Sequence, residues 1–272
     1  MTYKIPVAVQ AELRFPGQLT RGSENAVAVR RVQEWLTLHG FGVVIDGDFG
    51  PATAAAIRAY QASQAVLWAA SRPGEVDAPT WSALVAQFAA AFGEPTLRTG
   101  SSIGATVASF ASNHEARHPR EVGGQNRGPW VRAYMDGNEG TAWPWCAGFA
   151  TSVIAQAEDA TGISTGVKRT FSCDTLAAHA AQRSGLLLAK GSAAVSADVA
   201  AGDLFLVRGT QPGDWVHTGI VIAVLEGGAV VRTCEGNTND EGSREGYEVC
   251  FRHRAARKLD FVLLGRKVSA TA

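Results

Sequence analysis

The strongest constraint on this chain is a single change of texture near Gly202. Before it, apolar residues recur every three or four positions in segments punctuated by glycine and proline, the spacing of short amphipathic helices. After it, "DLFLVR", "HTGIVIAVL", "AVVRTCEG", "YEVCFRH" and "DFVLLGR" follow as short runs of branched and aromatic residues separated by Gly, Asp or Asn clusters. Helices first and antiparallel strands second predict an α+β domain with helices packed on an antiparallel sheet. With 272 residues, 46% of them hydrophobic, the chain can supply cores for two modest domains.

The first is expected over residues 1–92, with a core at 19–88. "SENAVAVRRVQEWLTLHG" sets Val29, Val32 and Leu36 on one helix face, with Ser23 as the candidate N-cap and a stop at Gly40. In "IDGDFGPATAAAIRAYQ", Asp46 and Gly47 make a turn, Pro51 suits a first helical turn, and Ile57 with Tyr60 continues an apolar face. "GEVDAPTWSALVAQF" repeats the arrangement: at an offset of 27 residues Phe49 falls on Val76, Thr53 on Thr80 and Ile57 on Leu84. Residues 89–102 lose periodicity and gather Gly, Pro, Thr and Ser, which predicts a linker at 93–102 before a second domain at 103–272.

"VRRVQEWLTLHGFGVVIDGDFGPATAAAIRAYQ" followed by "VDAPTWSAL" resembles the three-helix peptidoglycan-binding domain appended to many cell-wall hydrolases. The resemblance implies a small all-α wall-anchoring module with bacterial peptidoglycan as partner, and a glycan or stem-peptide groove near Asp46, Gly47 and Phe49. Read as residues alone, the same positions build the turn and plug the core. The second loop, "RPGEVDAP", lacks the Asp-Gly turn, which counts against a symmetric groove.

Lys plus Arg and Asp plus Glu are balanced at 25 each, so no charge surplus points to nucleic acid or an anionic membrane. No run of 18 apolar residues occurs, and "MTYKIPVAVQAELRFPG" lacks the apolar core of a signal peptide. The expectation is a soluble monomer made in the cytoplasm without a signal peptide, with no membrane insertion, acting on the wall after release. Cysteines 146, 173, 234 and 250 form no C-x-x-C pair, so reduced thiols are expected, with Cys234 to Cys250 as the one bridge to check.

Amide hydrolysis by cysteine needs a thiolate, a base, a group that orients the base, and oxyanion donors. "WPWCAGFATSVIAQAE" places Cys146 at or just before a helix N-terminus, where free N–H groups and the dipole favour the anion. His217 opens the strand "HTGIVIAVL". On the next strand, period two sets Val231, Thr233, Glu235 and Asn237 on one face. His217 shares a face with Glu235 or Asn237 only if the hairpin between Val224 and Ala229 closes with an odd loop or carries a bulge, which Gly236 would tolerate.

"GPWVRAYMDGNEGTAWPWCAGFATSVI", "AGDLFLV", "HTGIVIAV" and "CEGNT", in that order, resemble the CHAP family, cysteine- and histidine-dependent amidohydrolases and peptidases on a papain-like fold that cut peptidoglycan. The resemblance implies Cys146 as nucleophile, His217 as base, Glu235 as its acidic orienter and Asn237 as a further polar partner. The second oxyanion donor stays open between Asn237 and groups in "GNEGTAW". Trp145 is expected to pack, with Trp143 and Trp215 as substrate-contacting cleft walls. No cofactor is expected; "DGNEG" opens like a calcium loop at Asp136 and Asn138, but position twelve is Ala147. An amidase and an endopeptidase, a phage endolysin and a secreted effector all remain compatible, as does a non-catalytic wall-binding or virion structural protein.

Overall fold

The structure, a computed structural model, describes residues 4–64, 71–93, 101–183, 187–188, 198–239 and 246–264. Its helices are α1 (Val7–Leu13), α2 (Ala26–Leu38), α3 (Pro51–Ser63), α4 (Ala78–Leu84), α5 (Ala86–Phe92), α6 (Ile103–Glu115), α7 (Pro129–Tyr134), α8 (Cys146–Thr161) and α9 (Cys173–Gln182). The strands are β1 (Leu187–Leu188), β2 (Leu204–Arg208), β3 (Trp215–Leu225), β4 (Val230–Thr238), β5 (Glu248–Ala255) and β6 (Asp260–Val262). A helical N-terminal region thus precedes a sheet with packed helices, the expected α+β class. Two compact units emerge, one of Ile5–Ala90 with Arg120–Gly140, the other of Met1–Lys4, Ala91–Pro119 and Thr141–Ala272.

In the helical unit, Val29, Val32 and Leu36 form the buried face of α2 that their spacing predicts. The cap is Asn25, whose side chain accepts from Ala28 N–H, rather than Ser23, whose hydroxyl accepts from Thr20 N–H inside the preceding turn. The faint duplication is a structural repeat built on two buried glutamines. Gln33 accepts from Gly47 N–H and donates to Asp46, the Asp48 carbonyl and Thr53. Gln61 accepts from Gly74 N–H and donates to the Arg72 and Glu75 carbonyls and to Thr80. Each amide thereby satisfies a loop backbone that folds over a helix through direct hydrogen bonds.

Gly47 and Gly74 share a left-handed φ of 83°, and a Cβ would meet the carbonyl of Ala26 at 2.9 Å in one loop and that of Ala54 at 3.2 Å in the other. The loop "RPGEVDAP" therefore reproduces the first turn with Pro73-Gly74 in place of Asp46-Gly47. The repeats are stitched by an antiparallel bridge from Leu19 to Val76 and a hydrogen bond from Gly22 N–H to the Phe49 carbonyl.

Residues 120–140 pack with the N-terminal helices rather than with the sheet, and Ala91 and Phe92 fall with the sheet unit. Trp130 of α7 joins Trp35 and Phe88 in edge-to-face contacts with centroids 6.5 and 4.9 Å away. Arg132 sits among three carboxylates, 2.8 Å from Glu12, 2.6 Å from Glu34 and 2.9 Å from Glu139. Burial raises the Glu34 carboxyl above its usual range, against the pull of Arg132. The expected linker lies mostly outside the described residues, at 94–100.

The other unit is a six-stranded sheet of order β1-β6-β2-β3-β4-β5, all of whose pairs are antiparallel. Phe205, Val221, Val231, Leu259, Phe261 and Leu263 make one core cluster. On the other face α8 lies against β3 and β4, where Gly236 lets strand and helix meet: a Cβ there would come 2.7 Å from Phe149 Cβ and 2.8 Å from the Trp145 ring. Cys234, on this face, donates to the Ala111 carbonyl of α6. Cys250 pairs across the ladder with Glu235 and not with Cys234, so the two thiols point to opposite faces and are not joined in a disulfide.

Candidate active site

Cys146 is the first residue of α8, and the first helical hydrogen bond runs from Phe149 N–H to the Trp145 carbonyl. The N–H groups of the first turn thus have no helical acceptor and carry the positive end of the helix dipole toward the thiol. Cys146 is buried at 5% exposure and faces the centre of the sheet unit.

His217 reaches this point because β3 carries a bulge. The hairpin tip between Leu225 and Val230 holds four residues, a parity that alone would turn His217 away from Glu235. The register shifts by one between Val221 and Ala223, leaving Ile222 unpaired, and Ile220 then pairs with Cys234. Parity is restored, so the bulge that the functional reading requires is present, though on β3 and not at Gly236.

His217 Nε2 lies 2.8 Å from Glu235 Oε2. Glu235 is fully buried and also accepts from Thr233 Oγ1 and from two nitrogens of the Arg254 guanidinium. An ionised Glu235 can only accept, so Nε2 carries the proton, and Nδ1 is left as the nitrogen that can exchange one with sulfur. Nδ1 is buried and makes no hydrogen bond among the described residues.

The electrostatics follow this order. A hydrogen bond from Cys173 is the main influence holding the Cys146 thiol well below its usual range; burial opposes it, and His217 and the Thr218 N–H assist. Burial lowers His217, but the influence of Cys146 and Glu235 prevails and raises it to about 9. Glu235, which burial alone would push up, is brought down to about 2 by Arg254 and His217. The favoured state is a buried thiolate–imidazolium pair with a carboxylate behind it.

Asn237 follows at 1% exposure with a left-handed φ of 56°. The β4–β5 ladder shifts register between Glu235 and Thr238, so the simple alternation expected to carry Asn237 onto the Glu235 face ends there. Two participants were missed from sequence. Cys173, the first residue of α9 behind its Ser172 cap, lies 3.8 Å from Cys146, sulfur to sulfur. Arg254 belongs to no motif in the sequence, and the antiparallel pairing of β4 and β5 brings it beside Glu235.

Trp145 is fully buried, as expected of a packing residue. Trp143 is half-buried, edge-on to Phe171 with centroids 6.0 Å apart. Trp215 is tied into the sheet, its indole N–H donating to Asp260 and its ring under the Arg208 guanidinium. In the helical unit Asp46 is exposed and lowered by the Asp48 N–H and Gln33, while Phe49 is 1% exposed. That ring plugs the core. A surface depression of about 290 Å³ lies instead at the second loop, among Thr20, Arg21, Arg58, Gly74 and Glu75.

In the "DGNEG" loop the Asn138 amide donates to the Met135 carbonyl, and no group of three His, Cys, Asp or Glu among the described residues is arranged to hold a metal. No described helix is long and apolar enough to cross a membrane.

An α+β chain with a helical N-terminal region and a buried thiol–imidazole–carboxylate array is the class that fold and site define. Residues 25–84 match the family model described as "Putative peptidoglycan binding domain", which supports an N-terminal peptidoglycan-binding domain and peptidoglycan as its partner. No curated protein and no solved structure matches the chain.

Proposed function

We propose that the chain is a peptidoglycan hydrolase in which the N-terminal domain holds the wall and Cys146 cleaves one of its amide bonds. The observation that carries this reading is the line from Glu235 through His217 toward Cys146 at the head of α8. Cys146 attacks the amide carbonyl as a thiolate, and the oxyanion meets N–H groups of the first helical turn. His217, held in one tautomer by Glu235, gives its Nδ1 proton to the leaving amine and then takes one from the water that opens the thioester. Wall binding keeps substrate near the site, which offsets a modest intrinsic affinity.

The resemblance to the CHAP family supports the reaction class and leaves the bond open between the muramoyl–L-alanine amide and one within the stem or crossbridge. A phage endolysin is the preferred setting, with a secreted antibacterial effector as alternative. Turbidity of purified sacculi should fall with the wild type and stay constant with Cys146→Ala, while both sediment with the sacculi. Equal sedimentation with no lysis by either would instead establish a non-catalytic wall-binding protein. Mass spectrometry of released fragments separates free stem peptides from shortened stems on intact sugars.

A further inference from the structure

Cys146 does not stand alone. Cys173 faces it at 3.8 Å, both residues are the first of their helices, and both are buried, at 5% and 7% exposure. A disulfide needs the sulfurs about 2 Å apart, so the approach still required from 3.8 Å is under about 2 Å. The chain supplies a thiolate, a thiol beside it and an imidazolium within proton reach.

We propose that Cys146 and Cys173 form a reversible disulfide that takes the nucleophile out of service under peroxide and returns it under thiol reductant. The oxidant is hydrogen peroxide. The Cys146 thiolate attacks its terminal oxygen, the O–O bond breaks, and the leaving hydroxide takes the proton of His217, giving Cys146 sulfenic acid and water. Cys173 sulfur then attacks the sulfenic sulfur; the S–O bond breaks, and its oxygen leaves as a second water with the Cys173 proton. Two electrons pass from the sulfurs to one peroxide. Two equivalents of a small thiol reverse the step by exchange.

Two features favour this pair over the other cysteines. Cys234 hydrogen-bonds to a backbone carbonyl and burial raises its thiol well above the usual range, so it is a poor nucleophile. Cys250 lies on the opposite face of the sheet from it, with Glu235 across the ladder. The Cys146 and Cys173 sulfurs, by contrast, face each other at 3.8 Å.

The proposal that a disulfide forms is independent of the hydrolase reading; its consequence for lysis rests on that reading. The test is a peptide map of the full chain after stoichiometric hydrogen peroxide and alkylation of residual thiols. Lys168 and Arg169 lie between the two cysteines, so trypsin separates their peptides unless they are linked. The expected result is a linked Cys146–Cys173 peptide lost on dithiothreitol treatment, with Cys234 and Cys250 still alkylated. In Cys173→Ser, Cys146 should instead be trapped by dimedone and pass to the sulfinic acid.

Lysis of sacculi, each protein normalised to its own untreated rate, should return nearly fully with dithiothreitol in the wild type and fall at least several-fold short in Cys173→Ser. Cys146 driven to sulfinic acid in the wild type, with no linked peptide, overturns the proposal. So does a linked peptide joining either residue to Cys234 or Cys250 in equal yield. A chain that forms the Cys146–Cys173 link but never lyses sacculi overturns the hydrolase reading alone.

Discussion

Gly219 leaves open the space that the Glu235 side chain crosses to reach His217. A Cβ at residue 219 would come 3.0 Å from Glu235 Cγ, 2.8 Å from the Phe205 ring and 2.7 Å from the Cys234 carbonyl oxygen. Absence of a side chain on β3 is therefore what lets a carboxylate on β4 lie along the sheet and meet a ring two residues away.

Gly219→Ala is expected to displace Glu235 and to destabilise the fold by about 1–3 kcal/mol, the usual cost of overpacking. Urea unfolding reads the second effect. The first appears as a lower rate of Cys146 alkylation by iodoacetamide near neutral pH, because His217 loses its carboxylate. An unchanged alkylation rate in a destabilised protein would show that Glu235 does not depend on the gap.

The pH dependence of that alkylation tests the ion pair directly. His217, raised to about 9 from an ordinary 6.5, contributes stability that is complete below 6.5 and is lost as pH rises through about 9. Glu235, lowered to about 2 from 4.5, contributes stability present above 4.5 and lost as pH falls through about 2. Alkylation should be fast across the acid-to-neutral range, where a free thiol is slow, and its profile should change again near pH 9. Glu235→Gln should move that upper change to lower pH.

His114 predicts an acid limit to stability. It is fully buried, 2.7 Å from the Gln156 side-chain oxygen, and burial lowers it to about 4 despite that bond. Its folded value lies below the unfolded 6.5, so the unfolded chain takes up the proton first and stability is lost as pH falls from 6.5 toward 4. The loss is on the order of 3 kcal/mol for a shift of this size. Urea midpoints at neutral pH and at about pH 4.5 should converge in His114→Asn relative to the wild type.

In the helical unit, Gln33→Ala removes the acceptor of Gly47 N–H and the donor to three oxygens. A cost of about 1–3 kcal/mol is expected from the groups left buried, with weaker sedimentation on sacculi. Gln61→Ala should behave alike if the two loops are equivalent. Sedimentation unaffected by either substitution would place wall contact away from both loops.

What could be read from the residues was whatever local periodicity and punctuation encode. The buried face of α2, the start of α8 at Cys146 and the order of the strands all follow from spacing that neighbours in sequence share. The parity argument reached as far as requiring an irregularity in the hairpin, but not its location, since Ile222 looks like any other strand residue. Cys173 and Arg254 escaped because their roles arise from side chains meeting across elements far apart in sequence. Gln33 and Gln61 escaped for a related reason: a buried amide is indistinguishable by pattern from a solvated one. Phe49 stayed open in the sequence because an aromatic in a turn fits a groove and a core equally well, and burial at 1% exposure puts its ring in the core.

The excursion of residues 120–140 into the helical unit bears on how such a chain can be recombined. The polypeptide passes between its units at more than one point, so the wall-binding part is not a cassette that one splice can exchange. A gene cut near residue 100 would separate Trp130 from Trp35 and Phe88 and leave Glu34 buried without Arg132. Swapping this module for another specificity therefore calls for two grafts, the N-terminal helices and the α7 segment together, with the two long stretches of the thiol half on either side of α7 kept as they are.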